Sequence, residues 1–309
     1  MKIYHSLDEF KPVKNAVVTT GTFDGVHIGH RKIIKRLKEL AHSIDGETII
    51  ITFFPHPRLV LFPEDNHLKL INTLDEKIKL LEGLGIDHLI IIPFTLEFSR
   101  LSSKQFIQDI LIDKINTRKL VIGYDHHFGR NREGSFEHLK KYAPQYGFEV
   151  EEIPEQDIND IAVSSTKIRK ALEKGDIITA NSYLDYPFSL TGNVIKGDQI
   201  GRTLGYPTAN LHIDDPHKII PFDGIYAVHA QWKETIYKGM LYIGNRPSVN
   251  GMTHNVELNI FDFDQDIYGE NITVSLLHFI RLDEKFNTID ELKNQILLDK
   301  SISIRLLNQ

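Results

Sequence analysis

The chain has 309 residues, of which 41% are hydrophobic and 25% are charged, a balance typical of a soluble globular protein long enough for two domains. It contains no cysteine, which excludes a disulfide framework, a cysteine-ligated zinc site and a thiol nucleophile. The formal net charge of −6 disfavours a sequence-independent nucleic-acid binder but is compatible with small anionic ligands.

The N-terminal segment and the apolar runs bear on the cellular compartment. Asp8 and Glu9 stand where a signal peptide would need an apolar core. The longest apolar runs, such as Leu89–Ile92, are far too short to cross a bilayer. We therefore expect a cytoplasmic protein with no membrane partner, and the sequence does not indicate its oligomeric state.

The first part of the chain alternates short apolar runs with segments of helical periodicity. Ile33, Leu37 and Leu40 recur at helical spacing, and so do Phe106 and Ile110. This alternation predicts a Rossmann-like α/β domain, with a parallel sheet covered on both faces and ligands at the carboxyl ends of its strands. The predicted strands are Ala16–Thr20, Thr48–Phe53, His88–Phe94, Lys119–Tyr124 and Phe148–Ile153.

The segment Gly21–His30 follows the first predicted strand and opens the first predicted helix. Its glycines are four residues apart, so the backbone can approach a bulky anion at a helix N-terminus. His27 and His30 lie three apart on one face of the first turn and can donate hydrogen bonds to a polyphosphate. The alternatives are two exposed histidines at a helix start or a metal-binding pair, although metal-binding pairs on a helix usually lie four apart.

A second group of polar residues lies at Val163–Arg169. Three hydroxyls at a helix start, followed one turn later by Arg169, suit a triphosphate, because amides and hydroxyls can surround it while the guanidinium supplies fixed charge. By itself the segment is better explained as an ordinary N-cap with a solvated arginine, but beside the first motif a phosphate site is favoured. Helices are predicted over Ser165–Glu173 and Ile177–Leu184, and the domain boundary is placed between residues 184 and 185.

The second part of the chain, residues 185–309, has a different pattern. Strand-like segments alternate with turns rich in Gly, Asn and Asp, and one clear helix begins at Thr288, with Glu291 completing a capping box. This pattern predicts a small antiparallel β-barrel with a C-terminal helix. The predicted strands are Phe188–Ile195, Ile225–Trp232, Thr235–Ile243, Asn255–Phe263 and Ile272–Ile280.

The segment Gly197–Asn210 repeats the four-residue glycine spacing after a barrel strand. Glycines alone favour an ordinary long connection over a loop above phosphates. Thr208 and Asn210, two residues apart, can both supply oxygen ligands to Mg²⁺. Glu257 lies on a later strand among apolar residues, where an outward-facing surface group is the commoner case without further context.

The first domain resembles the FMN adenylyltransferase part of bacterial bifunctional FAD synthetases. The resemblance rests on Gly21–His30, Thr52–Pro57, Gly123–Gly129 and Val163–Arg169. Two positions depart from the family pattern: His126 stands where Phe is usual, and Arg31 where Gln is common. The resemblance implies catalytic roles for His27, His30 and Arg169, ATP binding by Gly21, Phe23, Gly25, Gly29, Ser165 and Thr166, and flavin binding by His56, Pro57 and Asp125.

The second domain resembles the riboflavin kinase part of the same enzymes over nearly its whole length. The matching segments are Gly197–Asn210, Pro221–Val228, Ile243–Pro247, Glu257–Gly269 and Ile280–Phe286, with Asp283 where Glu is usual. The resemblance implies Mg²⁺ as cofactor, ATP as co-substrate, and riboflavin, FMN and FAD as substrates and products. It assigns ATP binding to Gly197, Gly201, Arg202 and Gly205, metal binding to Thr208 and Asn210, the general base to Glu257, and flavin binding to Arg281.

Three other functions remain to be separated from this one. A nucleotidyltransferase acting on another phosphorylated cofactor precursor would have no reason to carry the kinase-like barrel. A flavin-binding regulator would keep the architecture without turnover, and a histidine-rich metallohydrolase would hold a transition metal. Products formed from riboflavin or FMN with ATP distinguish these alternatives.

Overall fold

The computed structural model describes residues 1–64, 67–124, 126–154, 163–196, 205–248 and 251–309. The chain divides into two units, Met1–Ser165 and Thr166–Gln309. The predicted boundary at residues 184 and 185 stays a prediction.

A parallel sheet forms the framework of the first unit. Its strand order is β1-β4-β3-β2-β5-β6, with every neighbouring pair parallel. The central strands are runs of Ile, Val and Thr that are buried on both faces, as expected of a sheet covered by helices on each side. The strands are β1 Lys2–Tyr4, β2 Ala16–Thr20, β3 Thr48–Phe54, β4 His88–Pro93, β5 Thr117–Gly123 and β6 Glu149–Ile153.

Helices cover both faces of this sheet and produce two separate cores. On one face Leu37 and Leu81 pack with Phe23, and on the other Phe106 packs with Leu139. The helices are α1 Ile28–Ser43, α2 Pro57–Leu61, α3 Leu74–Gly83, α4 Ser103–Gln105, which continues as π-helical turns over Phe106–Lys114, and α5 Phe136–Tyr146. The predicted α/β fold is confirmed.

The second unit contains a closed antiparallel barrel, with strand order β10-β11-β8-β7-β12-β9. Helix α6, Ser165–Leu172, begins at the last residue of the first unit, and α7 is Ile177–Leu184. Gly175, between these helices, has φ +73°, the left-handed conformation that favours glycine after a helix end. The barrel strands are β7 Ser189–Ile195, β8 Ala209–His212, β9 Gly224–Trp232, β10 Thr235–Ser248, β11 Gly251–Ile260 and β12 Asn271–Arg281.

The C-terminal helix α8 runs over Ile289–Leu306 and begins with the predicted capping box of Thr288 and Glu291. An ion pair ties it to the barrel: Arg281 Nη2 lies 2.8 Å from Oδ2 of Asp299, a residue that is 3% exposed. The prediction of a barrel followed by a helix is confirmed. Among the described helices, none combines the length and the apolar composition needed to cross a bilayer.

Candidate active sites

The loop between β2 and α1 leaves the sheet through a strained backbone. The Gly21 amide donates to Ile51 O at 3.0 Å, which keeps the loop in line with β3. Phe23, Gly25 and Val26 then take φ values of +49°, +86° and +37°. Positive φ costs energy at the two non-glycine residues, and such strain is common where a backbone is shaped around a ligand.

His27 and His30 lie together at the start of α1. His27 is the N-cap, and its Nδ1 accepts from the His30 amide at 3.4 Å. The two imidazole rings are stacked, with centroids 3.8 Å apart and an interplanar angle of 16°. The structure therefore brings the two predicted histidines to one face at a helix N-terminus, where backbone amides attract anions.

The environment of His30 keeps its imidazole neutral. Burial is the main cause, with smaller effects from His27 and Lys77, and together they hold the pKa of His30 well below 6.5. Its Nδ1 is buried and makes no hydrogen bond. Near neutral pH His30 can therefore offer a hydrogen bond to a ligand but no positive charge.

Two residues of this site, Asp24 and Lys77, escaped the sequence analysis. Asp24 is 2% exposed, and its Oδ1 accepts from the Ile71 amide at 2.9 Å. Lys77 is 7% exposed and donates from Nζ to Thr22 O at 2.9 Å. A lysine in the second turn of an amphipathic helix carries no sequence signal of burial, so spacing alone could not have identified it.

The predicted residues around this loop have different environments. Phe23 is 2% exposed and packs in the core, with its ring 5.1 Å from that of His30. The Ser165 hydroxyl donates to Asp24 O at 2.9 Å, so its hydrogen is already engaged with the loop. Thr166 and Arg169 lie on α6 in the second unit, and their predicted roles stay predictions.

The predicted flavin segment lies at the carboxyl end of β3. His56 caps α2, and its Nδ1 accepts from the Arg58 amide at 3.2 Å. Pro57 is the first residue of that helix. Phe54 and Phe62 on either side are 43% and 58% exposed, an apolar surface that the sequence analysis missed. The predicted residue Asp125 lies outside the described residues.

The central feature of the barrel site is the pairing of β8 with β11. Asn210 and Glu257 are direct cross-strand partners, so their side chains share one face of the barrel. Glu257 is 7% exposed, and its Oε2 lies 3.5 Å from the Thr208 hydroxyl. The carboxylate is therefore buried beside the two predicted metal-binding residues, and not on the surface as its isolated pattern favoured.

The register continues from Glu257 around the barrel. Glu257 pairs with Tyr242, Tyr242 with Ile225, and Ile225 with Arg281. Three predicted site residues, Asn210, Glu257 and Arg281, thus occupy one row of cross-strand neighbours. The guanidinium of Arg281 is directed to Asp299, whose Oδ1 and Oδ2 accept from its Nε at 2.9 and 3.1 Å.

A cavity of about 350 Å³ adjoins Thr208. Gly205, three residues before Thr208, has φ +85°, a backbone conformation that favours glycine. Gly197, Gly201 and Arg202 lie outside the described residues. The cavity walls combine apolar and polar side chains, including two carboxylates. Its lining includes Val194, Pro207, Leu258, Ile260, Phe263, Asp264, Asp266 and Tyr268.

Comparison with known proteins assigns a class to each part of the chain. Residues 10–167 match the family model of FAD synthetase, and residues 184–307 match that of riboflavin kinase. The α/β unit with its glycine-and-histidine loop and the barrel with its buried glutamate thus define a two-part enzyme of flavin cofactor synthesis.

Curated relatives identify the family. The bifunctional riboflavin kinase/FMN adenylyltransferase of Escherichia coli (strain K12) is 35% identical over 297 residues, which cover 96% of this chain and 94% of the relative. That of Bacillus subtilis (strain 168) is 37% identical, over 94% of this chain and 92% of the relative. The chain belongs to the family of bifunctional riboflavin kinase/FMN adenylyltransferases, which confirms at the family level the predicted pair of activities.

A solved structure agrees over the whole length. It is described as a macrolide-efflux protein from Streptococcus pneumoniae, is 31% identical, and superposes with a TM-score of 0.88 over 98% of both chains. The agreement extends through both units, so this combination of α/β unit and barrel also occurs in an experimental structure.

Proposed function

We propose that the chain makes FAD from riboflavin in two ATP-dependent steps, with the kinase reaction at the Glu257 site and the adenylyl transfer at the His27–His30 site. The observation that carries the proposal is the cluster of Thr208, Asn210 and the buried Glu257 in one unit, together with the stacked histidine pair in the other. We expect the enzyme to act in the cytoplasm.

The kinase step requires a base because riboflavin presents a primary alcohol. This oxygen attacks the γ-phosphorus of ATP, the bond from that phosphorus to the bridging oxygen breaks, and ADP leaves. Glu257 accepts the alcohol proton, a role that suits a carboxylate held on a rigid strand beside the phosphate-binding residues. General-base assistance of this kind is typically worth about 10²–10⁴-fold in rate.

The barrel residues fit a hard cation such as Mg²⁺. Thr208, Asn210 and Glu257 offer a hydroxyl, an amide and a carboxylate oxygen within one small region, and oxygen donors are the ligands that Mg²⁺ prefers. When bound, the ion would neutralise charge on the ATP phosphates. Thr208 and Asn210 would hold it, which leaves Glu257 available to the alcohol.

The cavity beside Thr208 suits the nucleoside part of ATP. Leu258, Ile260 and Phe263 provide an apolar surface on which an adenine ring can pack. Thr208 at its edge brings that ring close to the proposed metal-binding residues. Gly205 would lie in the loop over the phosphates, and it stays a predicted ATP-binding residue together with Gly197, Gly201 and Arg202.

The adenylyl transfer needs no base. The phosphate of FMN is largely ionised at pH 7, attacks the α-phosphorus of ATP, and displaces pyrophosphate. The site must hold two anions together and stabilise the charge that develops on the leaving group. His27, His30 and the loop amides contact the polyphosphate, with Ser165, Thr166 and Arg169 completing the predicted site.

The first unit has an exposed apolar surface that suits the flavin ring of FMN. Phe54 and Phe62 flank His56 and Pro57 at the carboxyl end of β3, the edge where ligands bind in open parallel sheets. A flat isoalloxazine ring can stack on aromatic side chains of this kind. Asp125 stays a predicted flavin-binding residue.

The test is a time course of products with purified protein, riboflavin, ATP and Mg²⁺, separated by chromatography. FMN should appear first and FAD after it, and FAD should form directly when FMN is supplied. FMN without FAD would remove the adenylyl-transfer assignment. Tight flavin binding without any product would favour a non-catalytic regulator.

A further inference from the structure

Lys77 is a buried cation directly behind the loop that carries the histidines. It lies in the second turn of α3 and is 7% exposed. Its Nζ donates to Thr22 O at 2.9 Å, and the same carbonyl accepts from the Thr52 hydroxyl at 3.3 Å. Burial of an ammonium costs several kcal/mol unless the group is well compensated, so a lysine at this place calls for an explanation.

The loop and the start of α3 are joined by links in both directions. Lys77 reaches from α3 to Thr22 O, whereas Asp24 reaches from the loop to the Ile71 amide at 2.9 Å and the Asn72 amide at 3.5 Å. Each link fixes a residue directly next to the strained Phe23. Helix α3 and the segment just before it therefore hold the loop in its unusual conformation at two points.

Lys77 keeps its positive charge in these surroundings near neutral pH. Its pKa is lowered to about 8, chiefly by burial and against the opposing effect of Asp24, so it is mostly protonated at pH 7. Its charge also helps to lower the pKa of His30, whose imidazole is neutral. Glu76 beside it is engaged with the Thr73 amide at 3.0 Å. A neutral His30 supplies no charge to a polyphosphate, whereas the Lys77 ammonium can.

We propose that Lys77 is a positioning residue of the adenylyl transfer, which fixes the Gly21–His30 loop through Thr22 and places a positive charge behind the polyphosphate that this loop binds. The inference rests on the proposed function of the first unit. It adds a residue from a separate helix to a site that the sequence motifs confine to the loop and α6. The charge stabilises the pyrophosphate that forms as the bond to the α-phosphorus breaks.

The test compares Lys77→Met with Lys77→Arg in the full chain. FAD formation from FMN and ATP gives kcat and KM for ATP, and FMN formation from riboflavin in the same preparation reports on the other unit. Lys77→Met should lower kcat/KM for ATP in the adenylyl transfer about 100-fold, the size of effect seen when one preorganised electrostatic group is removed. Lys77→Arg should recover at least a tenth of the wild-type value, because it keeps a donor and a charge.

Lys79→Met is the matched control, because Lys79 is an exposed lysine on the same helix and should leave both reactions unchanged. Far-ultraviolet circular dichroism and thermal unfolding check that each variant is folded. A folded Lys77→Met protein within 3-fold of wild type in adenylyl transfer would overturn the proposal. So would a Lys77→Arg protein as impaired as Lys77→Met. A wild-type protein that forms no FAD would instead contradict the proposed function itself.

A pH profile separates a role of the charge from a role in packing alone. In the wild type, kcat/KM for ATP in the adenylyl transfer should fall as pH rises through about 8, because Lys77 then loses its proton. The residual activity of Lys77→Met should lack this fall, and Lys77→Arg should lack it too. An identical alkaline fall in all three proteins would contradict the role of the charge.

Discussion

At the scale of single residues, the surroundings decide what each polar group can do. The pKa of His30 is held low by burial and by the nearby His27 and Lys77, so its imidazole is neutral and can offer a ligand a hydrogen bond but no charge. Glu257 lies on a strand among apolar residues, but its register places it beside Asn210 and 3.5 Å from Thr208. Neither property follows from the residue type alone, and both bear on the chemistry that we assign.

His126 gives a prediction for stability. Burial, with smaller effects from His127 and Arg132, lowers its pKa to about 4 from 6.5, and its Nε2 makes no hydrogen bond. Between these pH values the unfolded chain binds a proton that the folded chain does not. The free energy of unfolding of the first unit should therefore fall as pH falls from 6.5 towards 4. His126→Phe should reduce this dependence and stabilise the unit at acidic pH.

Calorimetry at a series of pH values measures this effect, with the transition of the barrel identified by fluorescence of Trp232, the only tryptophan of the chain. His127→Gln, a change at the exposed neighbouring residue, is the control and should keep most of the wild-type dependence on pH, because His127 contributes less than burial to the low pKa of His126. If His126→Phe kept the full wild-type dependence on pH, our account of His126 as a buried, neutral imidazole would be contradicted.

At the scale of elements, apolar periodicity predicted the sheet and most of the barrel. Ala16–Thr20 and Ile177–Leu184 have the predicted bounds because hydrophobic runs and caps mark both of their ends. The strand predicted at Asn255–Phe263 is wrong in its bounds, since β11 runs over Gly251–Ile260. Its start is polar, and only pairing with β10 makes it a strand.

Elements set by tertiary pairing were the ones that the sequence could not show. The sequence analysis predicts no strand at β8, Ala209–His212, because four residues give too little pattern. Strand β1, Lys2–Tyr4, has only three residues and exists through its pairing with β4. The helix predicted around Phe106 is present but has π-helical turns, a difference in hydrogen bonding that apolar spacing does not reveal.

Within the candidate sites, the sequence could supply motifs but not neighbours. It predicted His27 and His30 as a pair, because both follow a strand at a helix start. It missed Asp24 and Lys77, since the contacts that matter there join the loop to α3 far along the chain. It assigned Arg281 to the flavin site, but no spacing could show that Asp299 pairs with its guanidinium.

The pair of Arg281 and Asp299 gives a prediction for helix α8. Arg281→Met should lower the free energy of unfolding of the barrel by roughly 3–5 kcal/mol, because it leaves the carboxylate of Asp299 buried without its partner. The double change Arg281→Met with Asp299→Leu should cost much less, since no buried charge is then left unpaired. Urea unfolding followed by Trp232 fluorescence measures both.

Arg305→Met, on an exposed position of the same helix, should change the stability by less than about 0.5 kcal/mol. A small effect of Arg281→Met on stability, combined with a large rise in KM for riboflavin, would instead support the flavin-binding role that the resemblance implies. An equal loss of stability in the single and double variants would contradict our account of the pair.

At the scale of the whole molecule, two folds supply two different kinds of catalysis. The barrel places a carboxylate beside a hydroxyl and an amide, which suits activation of a weak alcohol nucleophile. The α/β unit presents amides, the neutral imidazole of His30 and a buried lysine, which suit a nucleophile that is already ionised and a leaving group that gains charge. Separate sites for the two reactions follow from these separate demands.

The most direct measurement is an assay of both half-reactions in two single variants, Glu257→Gln and His30→Ala, and in their mixture. Glu257→Gln should lose FMN formation by about 10²–10⁴-fold and keep FAD formation from supplied FMN. His30→Ala should do the reverse, and the mixture should make FAD from riboflavin through released FMN. If either substitution removed both activities from a folded protein, the assignment of the two reactions to separate sites would be wrong.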